Sequence, residues 1–405
     1  MPPTPSSTTD AAKGAARESA DGCVAAALAA GPGAAPLAAQ IAVSRDWRSP
    51  ADVQRLSVRY ACTGSPEMPV LEATVDGARF PLDAPVRLLP VVVSKPWGRE
   101  IWFTGMEARG ESMVSGNGGE LGLGSYLALA PDRLCGYRPI VLLKILDPRA
   151  DPVLGELYLE LHEEKREVYV VTAVHPAAWP DGRGRIRYGV NQASRRAHGS
   201  DDAFRSAFLE ALRTYRAVRD AVDAGADGLA AEERAALEAT RAFTDERSLA
   251  PGDVISVPTR VPHSLQHGVR VVEFQTPTYE RLIVSSTQRV LTQTGWDSER
   301  AVALMHLDTP PQPVPEPVAA GVDRIVAFED FGVWRLRLPA GRVQSLPDHL
   351  PYAVAYCIEG RVQAGGRPAP LILSDDQAAF IPGSAVGQPL TALDDTLLLL
   401  AAPEL

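Results

Sequence analysis

Between Gly155 and Glu167 the chain reads GELYLELHEEKRE, and three of these residues carry side chains that ligate metals. Glu160 and His162 stand two apart, which on a strand puts both on one face. Glu167 follows after four residues, enough for a tight turn and a returning strand. Far downstream, GDVISVPTRVPH delivers a fourth candidate, His263. Two carboxylates and two imidazoles on one surface suit a borderline divalent ion such as zinc. LHEEKRE alone is also the composition of a solvated charged strand; the downstream histidine is what favours a ligand set.

Other residues could join that chemistry. Lys144 interrupts PIVLLKILD (139–147), otherwise a buried strand, so it must snorkel, pair or face a cavity. In VVVSKPWGREIWFTG (91–105), Pro96 favours extended backbone before it and Gly98 permits a bend. Trp97 and Trp102 are expected as core anchors, with a Trp-Gly corner that can line a sugar pocket.

The elements that must position these residues are mostly strands. Residues 1–45, rich in Ala, Pro, Ser and Gly, read as a disordered tail with at most a transient alanine helix. Residues 46–89 read as flanking strands and 106–137 as a Gly- and Ser-rich loop. From 201 to 245 the period changes: Phe204, Phe208, Leu212, Tyr215, Val218 and Val222 recur at helical spacing, with a break at Gly225–Gly228. TPPQPVPEPV marks a stiff linker over 308–320. Residues 321–405 read as a second β-domain in which His349 has no Glu-x-His companion.

Composition narrows the function classes. The 405 residues carry a net charge of −10 and no dense basic run, which argues against nucleic acid and anionic membrane as partners. Four scattered cysteines, Cys23, Cys62, Cys135 and Cys357, show no CxxC spacing and suit a reduced, cytoplasmic setting. The apolar run 23–30 is too short to span a bilayer, so no membrane partner is expected.

Gly155…Glu160-x-His162…Glu167 resembles the first cupin motif, with Glu at the position of the commonest first His. Gly252…Pro258…His263 resembles the second. The succession KPWG, VLLKILD, ELH, KREVYVV, PGDVISVP…PHSL and VRVVEFQTPTYER is similar to type I mannose-6-phosphate isomerases. That resemblance implies a mainly β protein of two cupin-type β-barrels (jelly-rolls): a metal-binding one over 46–307 carrying the helical insertion, and a degenerate one over 321–405. It implies Zn2+ held by Glu160, His162, Glu167 and His263. The family has Gln at the position of Glu160 and a long loop after His162, which this chain lacks. Lys165, Lys144 and Arg281 fall on the family's catalytic positions, with Arg281 gripping the phosphate. The expected activity is aldose–ketose isomerisation of a sugar phosphate, mannose 6-phosphate to fructose 6-phosphate. A non-catalytic sugar-binding or regulatory cupin, and an iron-dependent oxygenase cupin, are the alternatives.

Overall fold

The computed structural model describes residues 20–46, 49–107, 110–152, 154–290, 293–347, 349–365 and 370–404. Strands dominate, as expected. The chain forms two compact units interleaved in sequence. One comprises Met1–Val91, Trp102–Leu143 and Val314–Leu405; the other comprises Val92–Ile101 and Lys144–Pro313.

In the first unit a nine-stranded sheet carries most of the C-terminal strands, and smaller four-stranded sheets accompany it. The expected boundaries put residues 46–307 together, but the structure groups 46–91 and 102–143 with the C-terminal residues. The reason is a pairing remote in sequence: Val86–Leu89 runs antiparallel to Gln377–Pro382, and Met113–Gly116 pairs with Val86–Leu89 in turn. The core here interleaves branched aliphatics such as Leu336, Ile381 and Leu398 with small apolar groups, among them Ala353, Ala355, Cys357, Ala379 and Ala402.

Two expectations fail in this unit for local reasons. Of the expected tail, residues 1–19 lie outside the described residues, but 20–30 are helical and Leu37–Asp46 is a strand. Alanine is the best helix former, and Ile41 and Val43 alternate into the core. The expected loop at 106–137 contains a hairpin, Met113–Gly116 with Gly119–Gly122, turning at Asn117-Gly118 where Gly118 has φ +95°. Two short helices follow, Leu123–Ala128 and Pro131–Cys135. The second begins with proline and ends at Gly136 in the left-handed region.

The second unit holds the candidate site. A six-stranded sheet runs in the order Val254–Val257, Glu167–Val174, Val269–Gln275, Leu142–Pro148, Gly98–Trp102, Val91–Lys95. A five-stranded sheet runs Thr244–Leu249, Gly184–Val190, His263–Leu265, Leu159–Leu161, Leu282–Ser285. Tyr169, Val171 and Val271 from the first sheet and Ile186, Tyr188 and Leu265 from the second form one buried cluster, so the sheets pack face to face.

Helix Asp201–Asp223 covers the outer face of the five-stranded sheet, and helix Ala230–Arg241 packs on that helix through Ala236 against Tyr215 and Val218. The Ser200 hydroxyl caps the first, accepting from the Ala203 amide at 3.1 Å. Phe204, Phe208 and Leu212 bury the predicted stripe against Leu159, Leu161, Val190 and Val284. This packing decides the site: with Leu159 and Leu161 turned to the helices, Glu160 between them points the other way. The Pro-rich segment is not a free linker throughout, because the Gln312 side-chain amide grips the Ser256 backbone, its Nε2 donating to the carbonyl at 3.1 Å and its Oε1 accepting from the amide at 2.7 Å.

Candidate metal centre

Leu159–Leu161 pairs antiparallel with His263–Leu265 so that Glu160 lies directly opposite His263. His162 is one step beyond the strand on the same side as Glu160. The turn that delivers His263 is fixed at Arg260, a non-glycine residue with φ +62°. The Arg260 amide donates to the His162 carbonyl at 2.6 Å, and its carbonyl accepts from the His306 amide at 2.9 Å. On the other flank Glu280 holds the short segment after His162: its carboxylate accepts from the Glu163 amide at 3.0 Å and the Glu164 amide at 3.2 Å. One side chain thus ties down the backbone where the resembling family has its long loop. Glu167 comes from the other sheet, at the start of Glu167–Val174, where it opposes Val257 and Gln275.

These pieces bring Glu160, His162 and His263 together, with one ligand atom from each within 4.8 Å of the others. Glu167 closes the group: its Oε1 is 3.3 Å from His162 Nε2 and its Oε2 is 3.2 Å from His263 Nε2. His162 Nδ1 lies 3.0 Å from the Glu280 carbonyl and His263 Nδ1 lies 2.9 Å from the Val261 carbonyl. A carbonyl only accepts, so each Nδ1 carries its proton, and in the neutral ring Nε2 turns a lone pair inward. Both Nε2 atoms, and Glu160 Oε2, are buried without a hydrogen-bond partner. Buried polar atoms are seldom left so. Inward lone pairs, fixed tautomers and two carboxylates are the donor set a zinc-type ion takes, so the residues present fit a metal.

Charge is balanced tightly around the cluster. Lys165 Nζ sits 2.7 Å from Glu167 Oε1, and the Tyr169 hydroxyl donates to Glu167 Oε2 at 2.6 Å. Burial opposes the Glu167 charge, but Lys165 and the two histidines hold its carboxyl well below the usual range. Burial and the Lys165 ammonium push the His162 imidazole down, favouring the neutral ligand form. Burial also opposes protonation of His263, yet the facing Glu167 and Glu160 outweigh it and raise that group. Arg281 Nη1 is 3.8 Å from Glu160 Oε2, and its guanidinium lies over the Tyr158 ring, 5.0 Å from the centroid.

Of the three readings of Lys144, the structure shows pairing: Nζ is 3.2 Å from Glu273 Oε1, both side chains nearly buried. Burial disfavours its charge, but Glu273, then Glu100, Glu167 and Glu160, raise its pKa above the ordinary lysine value. It is a fixed positive charge at the edge of the cluster. Trp97 and Trp102 are 3% and 2% exposed, and Trp97 packs with Tyr169 and Val171, so the Trp-Gly corner is core and does not line an open sugar pocket. Gly98 serves packing instead, because a side chain there would collide with the Asp147 carbonyl.

Three residues at the centre were not singled out in the sequence: Glu273, Tyr169 and Glu280. Glu273 carried the same signal as Lys144, an ionisable group inside an apolar run, VRVVEFQ. Tyr169 stands two beyond Glu167, on the same face of its strand. Glu280 had no such signal.

No protein-family model matches the chain, and no curated protein does. Solved structures do. Mannose 6-phosphate isomerase from Bacillus subtilis superposes with a TM-score of 0.56 at 16% identity, over 78% of this chain and 99% of that one. The fold is shared with mannose-6-phosphate isomerases. The enzyme from Salmonella typhimurium bound to substrate (f6p) and a zinc atom gives a TM-score of 0.60 at 14% identity, over 80% of this chain and 100% of that one. A zinc-bound mannose 6-phosphate isomerase gives a TM-score of 0.60 at 14% identity over the same shares. At these identities the likeness shows a shared, mainly β fold and nothing finer.

Proposed function

We propose that the protein is a zinc-dependent aldose–ketose isomerase acting on a sugar phosphate, with mannose 6-phosphate and fructose 6-phosphate as the expected pair. The observation that carries the reading is the set of buried, inward-facing His162 and His263 Nε2 atoms met by Glu160 and Glu167 and ringed by three cations. Glu160, His162, Glu167 and His263 would hold the ion. When bound, zinc supplies a Lewis acid for the sugar oxygens and charge stabilisation for an enediolate.

The isomerisation is redox-neutral: one proton leaves C2 and one arrives at C1, while a second passes from the C2 hydroxyl to the C1 oxygen. Lys165 is placed to hold and move a proton at Nζ, being 7% exposed and anchored on Glu167 at the cluster's edge. Lys144, held charged by Glu273, contributes a fixed positive potential for developing negative charge. Arg281, mostly buried and levelled by the Tyr158 ring, is the forked donor for an anionic group. Tyr169 holds the Glu167 carboxylate in place.

The test is metal analysis of purified protein followed by a coupled assay on mannose 6-phosphate and a panel of other sugar phosphates. One equivalent of zinc with turnover on a sugar phosphate is the expected result. Bound zinc without turnover on any of the panel would replace the isomerase with a sugar-binding cupin, and bound iron would point to oxygenase chemistry.

A further inference from the structure

We infer that Glu280 is a positioning residue of the centre: from behind the cluster it sets where His162 and Arg281 stand relative to each other. The inference rests on the proposed reading of the cluster as a metal centre, and names the residue on which metal binding and anion recognition both depend.

The strand register shows why such a residue is needed. Leu159–Leu161 runs antiparallel to Leu282–Ser285, with Glu160 opposite Ile283 and Leu161 opposite Leu282. The ladder ends at that last pair. The next residues along the two segments are His162 and Arg281, and after them Glu163 and Glu280. A ladder spaces opposed residues through main-chain hydrogen bonds, and here it stops one step short of an imidazole ligand and the guanidinium.

Glu280 continues the pairing with its side chain. Its two carboxylate oxygens each accept from the Glu163 amide at 3.0 Å, and Oε2 also accepts from the Glu164 amide at 3.2 Å. Hydrogen bonds to a carboxylate are roughly twice as strong as neutral ones. The main-chain carbonyl of the same residue accepts from His162 Nδ1 at 3.0 Å. One residue therefore fixes both the backbone after His162 and the ring itself. The Arg260 amide ties His162 to the turn before His263; Glu280 ties it to the segment that carries Arg281. Arg281 in turn stands between two anchors, Glu280 on one side and Leu282 in the ladder on the other.

The other end of the 276–281 connection is fastened by main chain. There the Thr276 amide donates to the Arg166 carbonyl at 3.0 Å, next to Glu167, with the Arg166 amide donating to Thr276 Oγ1 at 3.1 Å. The Glu280 carboxylate is the corresponding fastening near His162, and a single substitution removes it. Leu161 and Leu282 face the helices, and strand alternation places Glu163 and Glu280 on that side too, away from the cluster. Glu280 thus acts through His162 and Arg281, not on a bound metal or substrate.

The experiment compares the full-length wild type with Glu280→Ala and Glu280→Gln. Hydrogen exchange is followed at the Glu163 and Glu164 amides, zinc affinity by competition with a chromophoric chelator, and binding of glycerol 3-phosphate to the zinc-loaded protein by calorimetry. In Glu280→Ala both amides should exchange faster. Zinc affinity should fall about 10–100-fold, as for other partners that orient metal ligands. Ester affinity should fall about 10-fold, the low end of what a hydrogen bond to a charged group is worth. Glu280→Gln keeps an oxygen that accepts and should recover part of all three. The double effect is the signature, because Tyr169→Phe should move zinc alone and Arg281→Ala the ester alone. If Glu280→Ala does not fold, Glu280→Asp, whose reach is one methylene shorter, should show the same double loss at smaller size. A folded variant with wild-type zinc and ester affinities, or one that loses only thermal stability, overturns the inference and leaves the metal centre standing. A wild-type chain that takes no zinc from the chelator overturns both.

Discussion

Replacing Lys144 by methionine keeps the volume of the stem but removes the charge facing Glu273. At 3.2 Å the pair's Coulomb attraction is about 5 kcal/mol at an effective dielectric of about 20. Much of this offsets the cost of burying both ions, yet deleting one partner of a buried pair strands the other and typically costs about 3–5 kcal/mol. The two partners are not equivalent. Glu100, Glu167 and Glu160 also act on Lys144, so Glu273→Gln leaves the ammonium well supplied with counter-charge. Lys144→Met instead leaves Glu273 buried, with Glu167 pushing its pKa in the same upward direction as burial. Lys144→Met should therefore destabilise more than Glu273→Gln, lowering Tm by about 6–20 °C at about 2–4 °C per kcal/mol. The pH dependence carries the sign. With the folded pKa of Glu273 above the unfolded value of about 4.3, the folded variant binds the extra proton between the two, so stability falls as pH rises through that window. Thermal melts of wild type and both variants at about pH 5.5 and pH 8 test this; Lys144→Met should recover part of its deficit at the lower pH, where Glu273 is more protonated. A Lys144→Met deficit that is the same at both pH values, or smaller than that of Glu273→Gln, would refute the reasoning.

Other perturbations separate the roles around the cluster. Tyr169→Phe removes the 2.6 Å donor to Glu167 and should weaken zinc binding about 10–100-fold by chelator competition, with the fold intact by circular dichroism. Lys165→Ala should lower kcat on the order of 10²–10⁴-fold with zinc retained, whereas Arg281→Ala should act chiefly on KM for the phosphorylated substrate. His263→Ala should lose zinc more severely than Tyr169→Phe, and turnover with it, as elemental analysis and the coupled assay would show. Phe208→Ala, at a fully buried ring stacked 4.8 Å from Phe243, should cost about 3–5 kcal/mol in denaturant unfolding without changing zinc affinity.

The candidates that the structure brings together, Glu160, His162 and His263, were legible in the sequence because each carries a local signal. Glu160 and His162 share a face by strand period alone, and the Pro-rich turn before His263 announces itself in composition. The helices over 201–245 were legible for the same reason, since their apolar stripe repeats at one period. What escaped depends on pairings between distant segments. Nothing near Val86–Leu89 indicates that its partner is Gln377–Pro382, yet that ladder decides which unit residues 46–91 join. The hairpin at 113–122 was read as a loop because glycine and serine dominate it, although Asn117-Gly118 is a hairpin turn sequence.

The same division applies inside the site, and it shows why ionisable groups in apolar runs are best read in pairs. Lys144 stood out because a lysine in PIVLLKILD demands compensation, but the sequence left pairing, snorkelling and a place facing a cavity open. Glu273 posed the same demand in VRVVEFQ. The two strands that carry them are neighbours in one sheet, so each residue answers the other's burial. Glu160 is the harder case. Its departure from the glutamine of the resembling family is visible in the sequence as one added negative charge. The consequence depends on Arg281 reaching within 3.8 Å of it from a segment more than a hundred residues downstream. A carboxylate there sets one negative charge between the two histidines and the guanidinium, whereas a neutral amide at the same place would set none.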